Sequence, residues 1–219
     1  MITSLLLPLI GAALAGPADD LAARVADACG PVYTMDTVAF TFVVEVGGEE
    51  KARRAHVWRP QTGEVQVSSG GTVVTLKDVR AGAPSDAEDP RWADIAPGVE
   101  PEAALKAWGG FVNDSYWLIA PCKVNDPGVS RAVTEDGALT LSFDAVGLTP
   151  GDQYTLRVDE VGRVTGWSFV LQSEREGDFT WTQHQDFGPL NLSLHRATAD
   201  GGTVIRFEGV SVSPPAPAE

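Results

Sequence analysis

Apolar and polar residues alternate along most of this chain, a pattern typical of β-strands with one buried and one exposed face. The alternation is clear in residues 38–46, where Val38, Phe40, Phe42, Val44 and Val46 share one side. It recurs at 51–59, 64–69, 72–77, 139–145, 154–158, 165–171, 179–183, 190–195 and 204–212, and the apolar run 116–121 is predicted to be a further strand. Short Gly-rich turns connect many of these segments, which indicates antiparallel meanders.

Two segments have helical spacing instead. Residues 18–29 place apolar side chains four apart, and Gly30-Pro31 is expected to end that helix. Residues 93–109 also favour a helix, which Gly109-Gly110 is expected to stop. The polar segment 78–91 between strands and helix predicts a loop.

This pattern predicts a mainly β (α+β) fold with a strongly curved antiparallel sheet of about 10–12 strands. Two short helices cannot cover so many two-faced strands. The sheet therefore either closes into a barrel or stays a curved half-barrel with the helices as a lid. Both solutions predict a concave apolar interior suited to an apolar ligand.

The 219 residues suit one large all-β domain. Residues 1–15 form a short apolar run that ends in Ala13-Leu14-Ala15, the small-x-small pattern of a cleaved signal peptide. We therefore expect one domain over 16–212, a disordered Pro-rich tail over 213–219, and a periplasmic or secreted protein. No later segment has the length and hydrophobicity of a transmembrane helix.

Aromatic side chains recur on the predicted apolar faces, and they give the concave interior its expected lining. If the turn after residue 171 centres near residues 174–176, Phe169 should lie close to Trp181. Each ring is either ordinary core or part of a ligand cavity. The candidate ligand-binding residues are Phe40, Phe42, Trp58, Trp108, Tyr116, Trp117, Phe143, Tyr154, Trp167 and Phe169.

The net charge of −14 argues against nucleic acid as a partner, because binding to a phosphate backbone needs clustered Lys and Arg. The acidity either serves solubility or presents an acidic face to a basic partner. The two cysteines, Cys29 and Cys122, form either a disulfide, as exported proteins allow, or two separate buried thiols. Their spacing fits no zinc motif, and no metal or cofactor is predicted.

Catalytic chemistry has few candidates. His56, His184 and His195 are expected at the surface, and no Gly-x-Ser-x-Gly motif occurs. Asp114 and Asp126 could form a glycosidase-like carboxylate pair at strand ends, or simply cap and turn the chain. A different role is open to Arg54. On a concave face it could bond backbone carbonyls of the lid helix, and on a convex face it would be solvated.

The chain resembles the periplasmic lipoprotein carriers of the LolA/LolB type. The resemblance rests on the export signal, the N-terminal helix, Trp58-Arg-Pro60 and the Gly-turn strands over 62–77. More narrowly, Asn113-Asp-Ser-Tyr-Trp-Leu118, Asp126-Pro-Gly-Val129 and the segment 146–154 resemble an uncharacterised group of LolA-like secreted bacterial proteins. The resemblance implies an unclosed β-barrel with a helical lid over a hydrophobic cavity that holds acyl chains.

Three functions compete at this stage. The first is a monomeric, non-catalytic envelope protein that binds a lipid or the acyl chain of a lipoprotein, with an envelope protein as a further partner. The second is a secreted hydrolase that uses strand-end carboxylates. The third is a filled β-barrel that serves as a protein-interaction module.

Overall fold

The structure, a computed structural model, describes residues 16–143 and 151–215. The predicted signal peptide over 1–15, part of the resemblance segment 146–154 and the last four residues of the predicted tail lie outside the described residues. Eleven strands form one antiparallel sheet in the order β4-β3-β2-β1-β11-β10-β9-β8-β7-β6-β5. The strands are β1 Thr37–Val46, β2 Glu49–Arg59, β3 Glu64–Ser69, β4 Thr72–Leu76, β5 Val129–Val133, β6 Leu139–Phe143, β7 Gln153–Val158, β8 Val164–Val170, β9 Glu176–Phe187, β10 Leu190–Ala197 and β11 Thr203–Ser213.

The sheet does not close among the described residues, since β4 and β5 are its two edges and do not pair with each other. The first and second meanders meet where β1 pairs with β11. The predicted mainly β fold, an unclosed curved barrel with a helical lid, is confirmed. No helix in the described part of the chain is long and apolar enough to cross a membrane.

Three α-helices accompany the sheet in the described residues: α1 Pro17–Cys29, the single-turn α2 Trp92–Ile95, and α3 Pro101–Ile119. A 3₁₀ turn, Ala120–Lys123, follows α3 directly. Helix α1 packs on this turn and on β5, β6 and β10. Cys29, at the end of α1, is bonded to Cys122 in the 3₁₀ turn across 93 residues of sequence.

The predicted end of α3 and the predicted strand over 116–121 are wrong. The helix passes through Gly109-Gly110 and ends only at Ile119. Its buried side chains, Ala104, Ala107, Trp108, Phe111, Ser115 and Leu118 among them, continue at helical spacing across the glycines. Packing of this face against the sheet outweighs the helix-breaking tendency of glycine, which costs about 1 kcal/mol per residue.

The short strand β5 was also missed. Its residues alternate only between half-buried and exposed positions, because it is an edge strand with no neighbour on one side. A strand without a buried face gives little signal in the sequence.

Helix α1 approaches the turn between β7 and β8 so closely that only glycine fits there. A Cβ on Gly162 would lie 2.4 Å from the carbonyl oxygen of Arg24, and the φ of Gly162 is +92°. We expect Gly162→Ala to lower the free energy of unfolding by about 2–4 kcal/mol, from backbone strain together with steric overlap. Urea unfolding followed by tryptophan fluorescence measures this change.

Gly137 offers a matched control. Its φ is +83°, but a Cβ there would meet no atom within 4 Å. Gly137→Ala should therefore lower the free energy of unfolding through backbone strain alone, by about 1–2 kcal/mol. Equal losses for the two variants would show that α1 does not dock on this turn.

Candidate functional site

Helix α3 lies against the apolar face of the sheet and joins its two halves. In its first half, Trp108 and Phe111 pack on one another with ring centroids 5.8 Å apart. Phe111 also contacts Trp58 at 5.8 Å and His56 at 5.9 Å, both on β2. These contacts fix the first half of α3 on the first meander.

The second half of α3 meets the second meander through two more rings. Trp117 lies 4.6 Å from Trp167 on β8 and 5.0 Å from Phe179 on β9, measured between ring centroids. Tyr116 lies 5.4 Å from Tyr154 on β7. The helix thus connects strands that are far apart in the sheet through aromatic contacts on both sides.

The structure brings the ten predicted ligand-binding residues into one core. Seven lie on the strands and three, Trp108, Tyr116 and Trp117, lie on α3 itself. The rings of α3 pack on strand residues, Trp117 on Trp167 and Tyr116 on Tyr154, so α3 occupies the concave face of the sheet in this structure. Tyr116, Trp117, Phe143 and Tyr154 are half-buried, whereas the other six are buried, so a ligand reaches those six only if the core opens.

The predicted contact between Phe169 and Trp181 is wrong. The hairpin pairs Trp167 with Phe179 and Phe169 with Gly177. Phe169 consequently stacks on Phe179, with ring centroids 6.2 Å apart. The turn lies earlier in the sequence than predicted, so each residue of β8 pairs with an earlier residue of β9 than expected.

A buried cluster of charged and polar groups fastens α3 to β2. Asp114 on α3 is fully buried, and its carboxylate accepts two hydrogen bonds from Arg54, Nε to Oδ2 and Nη2 to Oδ1, both 2.6 Å long. His56 Nε2 lies 2.8 Å from Oδ2, and the side chain of Asn113 donates to Oδ1 at 2.9 Å. We call Arg54, His56 and Asp114 the latch.

Two opposing effects act on the pKa of Asp114. Burial raises it, but the hydrogen bonds from Arg54 and His56 and the charge of Arg54 together lower it more, so the net shift is downward. The bonds to Asp114 also raise the pKa of Arg54 against the effect of burial. The pair is therefore ionised at neutral pH, and the fully buried carboxylate of Asp114 is stable as an anion only while its partners stay in place.

The latch differs in part from the sequence predictions. Arg54 lies on the concave side and contacts the lid helix, but through the carboxylate of Asp114 and not through backbone carbonyls. Asp114 is neither a cap nor a strand-end residue, since it lies within α3. The expected surface position of His56 is wrong, because only 1% of its surface is exposed.

Asp126 is held elsewhere. It accepts a 2.6 Å hydrogen bond from the hydroxyl of Tyr33 and lies 3.7 Å from Lys123 Nζ. Asp114 and Asp126 therefore have different partners: Arg54 and His56 for the first, Tyr33 and Lys123 for the second. Within 16–143 and 151–215, no group of three or more His, Cys, Asp or Glu side chains is arranged to hold a metal ion.

Sequence reasoning missed the pairing of Asp114 with His56, although a signal was present. Ala52, Arg54, His56 and Trp58 alternate with the exposed side of β2, so the apolar Trp58 places His56 and Arg54 on the inner face. Two basic side chains on an inner face require a buried acid, because unpaired buried charges are rare.

Comparison with known proteins gives matches among solved structures only. No protein-family model matches the chain, and no curated protein matches it. The chain is similar to LolA superfamily structures. It has 12% identity to LolA superfamily protein NE2245 from Nitrosomonas europaea, with 92% of this chain and 96% of that one covered and a TM-score of 0.46.

Two further structures are similar at the same level. A DUF1329 family protein from Desulfovibrio piger has 9% identity, coverage of 88% of this chain and 90% of that one, and a TM-score of 0.40. A domain named for outer membrane lipoprotein sorting, from Vibrio parahaemolyticus, has 9% identity, 91% coverage of both chains and a TM-score of 0.40.

Proposed function

We propose that this chain is a non-catalytic, exported cell-envelope protein that binds a hydrophobic ligand, a lipid or the acyl chain of a lipoprotein, between α3 and the sheet. One observation carries the proposal. The apolar face of an open eleven-stranded sheet is covered by α1 and α3, and α3 is held there by rings and by one ionic latch.

A helix that covers an open sheet can move away and leave its place to a ligand, whereas a second sheet would have to move as a whole. Moving α3 exposes the apolar face, and an acyl chain can then replace the lost contacts, since each buried methylene contributes about 0.8 kcal/mol. The disulfide at the 3₁₀ turn holds the C-terminal end of α3, so we expect the N-terminal end to move further. Gly109 and Gly110 supply a flexible point inside the helix.

The latch sets the free energy of opening. Separating Asp114 from Arg54 and His56 requires water or new partners for each group. A carrier needs a closed state that is stable without ligand and an open state that becomes populated when the ligand is abundant. The proposal includes removal of residues 1–15 as a signal peptide, a periplasmic or secreted location and one domain over 16–212. The tail predicted to begin at 213 begins later, because Ser213 pairs with Thr37 as the last residue of β11.

The test is a titration of delipidated protein with a neutral long-chain probe, the methyl ester of cis-parinaric acid. Trp58, Trp108, Trp117 and Trp167 line the proposed site, so bound probe should quench tryptophan emission by energy transfer. We expect saturable, one-to-one binding with a Kd of about 1 µM or below. Native mass spectrometry of protein purified from its own envelope should show a bound lipid.

Val73 provides the control for adsorption to the outer surface. It is the exposed apolar residue of edge strand β4, with 60% of its surface exposed. Val73→Ser should leave the Kd unchanged if the probe enters beneath α3. Quenching that does not saturate, or that disappears in Val73→Ser, would instead favour the filled interaction module.

A further inference from the structure

Arg196 on β10 is a cation buried in apolar surroundings. None of its surface is exposed, and its guanidinium lies 3.9 Å from the ring centroid of Trp181 and 4.8 Å from that of Phe207. Its Nη1 donates to the backbone carbonyl of Ser193. No carboxylate among the described residues pairs with it, and burial lowers its pKa well below the usual value.

One edge of this guanidinium has no hydrogen-bond partner. Its Nε and Nη2 find no acceptor in the described part of the chain. These two atoms form the edge that binds a carboxylate through two parallel hydrogen bonds. Arg54 uses the same two atoms to hold the carboxylate of Asp114.

Neighbouring side chains show the same surplus of donors. The indole nitrogens of Trp181 and Trp167, whose rings are 5.2 Å apart, are also buried without an acceptor among the described residues. The ring of Trp181 lies beside Arg196, and the ring of Trp167 lies beside that of Trp181 on the concave face. Buried polar groups in proteins are normally paired, so several neighbouring unpaired donors point to an acceptor supplied from outside the chain.

The distribution of charged side chains also favours an acceptor supplied from outside the chain at Arg196. The whole chain carries a net charge of −14. Acidic side chains of β1, β2 and β11 are bonded to Arg53 and Arg206, which are partly exposed. The covered face instead holds Arg54 and Arg196, and the carboxylate bonded to Arg54 belongs to α3. When α3 moves, Asp114 leaves with it.

We infer that Arg196 binds the acidic head of the ligand, and that the ligand is a long-chain carboxylate whose two oxygens accept hydrogen bonds from Nε and Nη2 while its chain lies along the rings beneath α3. This inference rests on the proposed function and names the chemical class of its ligand. The chain would pass from Phe207 and Trp181 towards Trp167, which continue the same apolar face.

The test compares cis-parinaric acid with its methyl ester on the wild-type protein at pH 8, where the free acid is ionised. The two probes share one hydrocarbon chain and differ in the head, which is an ionised carboxylate in the acid and a neutral methyl ester in the other. We expect the acid to bind at least tenfold more tightly than the ester, because a buried charge-assisted pair with two hydrogen bonds forms only with the acid.

Arg196→Met removes the charge and keeps an unbranched apolar side chain. We expect it to bring the two Kd values within about threefold of each other by weakening the acid alone. Arg175→Met is the matched control, since Arg175 is exposed in the turn between β8 and β9. This control makes the same change of charge and should keep the wild-type ratio. Arg196→Lys keeps the charge without the two-pronged edge and should give an intermediate ratio.

The outcomes separate the two proposals. Equal binding of acid and ester by the wild type, or an unchanged ratio in Arg196→Met, overturns the role of Arg196 and leaves apolar-ligand binding in place. Absence of binding by both probes overturns both. If Arg196→Met does not fold, the wild-type ratio and Arg196→Lys still decide the question.

Discussion

Replacing Asp114 with alanine is expected to lower the free energy of unfolding by about 3–5 kcal/mol, the cost of removing one partner from a buried ion pair. Asp114 is fully buried, and its carboxylate bonds Arg54 and His56. Without it, the guanidinium of Arg54 remains beside the ring of Phe42, 5.3 Å from its centroid, with no counter-charge from α3. Urea unfolding at pH 7 measures the loss.

Glu102→Ala is the control, because Glu102 is an exposed acid in the first turn of the same helix. Its replacement should cost less than about 1 kcal/mol. Combining Asp114→Leu with Arg54→Met should restore part of the stability lost in Asp114→Leu alone, since no unpaired guanidinium then remains. A loss below 1 kcal/mol for Asp114→Ala would mean that water already separates α3 from β2 in solution.

Removing the disulfide has a comparable expected effect. Replacing Cys29 and Cys122 with alanine together should lower the free energy of unfolding by about 4–5 kcal/mol, because the bridge closes a loop of 93 residues in the unfolded chain. The measurement is again the urea unfolding curve, recorded with and without a reducing agent.

The wild-type protein provides the internal control. Reductant should shift its unfolding midpoint towards that of the double variant and leave the double variant unaffected. Thiol titration of the unfolded, unreduced wild type should detect no free thiol. Two titratable thiols under those conditions would rule out the bridge and remove the fixed end of α3 on which the proposed lid movement depends.

Both variants act on α3, but at different places. The disulfide holds its C-terminal end to α1, and the latch holds its middle to β2. Loss of the latch should therefore favour the open state as well as reduce stability. Loss of the bridge should reduce stability without freeing Arg54.

Several elements could be predicted because local pattern and final environment agree. Val38, Phe40 and Phe42 alternate with less buried residues as predicted, and β1 spans Thr37–Val46. Gly47 and Gly48 both adopt positive φ between β1 and β2, as a two-residue hairpin turn requires. Gly209 adopts positive φ, and the β1–β11 register shifts beside it, as at a β-bulge.

The candidate site was harder to predict because it depends on long-range pairing. The apolar set was found, since burial on one face of each strand shows in the sequence. The acid that meets Arg54 could not be identified, because Asp114 lies 60 residues away and was predicted to cap or turn the chain before a strand over 116–121. Arg196 did leave a signal: it follows Leu190, Leu192 and Leu194 at the same two-residue spacing.

The sequence by itself determined the fold class, the faces of most strands and the aromatic composition of the interior, because alternation and turn residues act over a few positions. Only the tertiary structure decided that α3 runs to Ile119, that its rings lie on the concave face, and that Asp114 meets Arg54 while Arg196 meets no acid in the described part of the chain. These features arise from burial between segments far apart in the chain. The free energy of such burial outweighs local preference, and no short stretch of sequence records it.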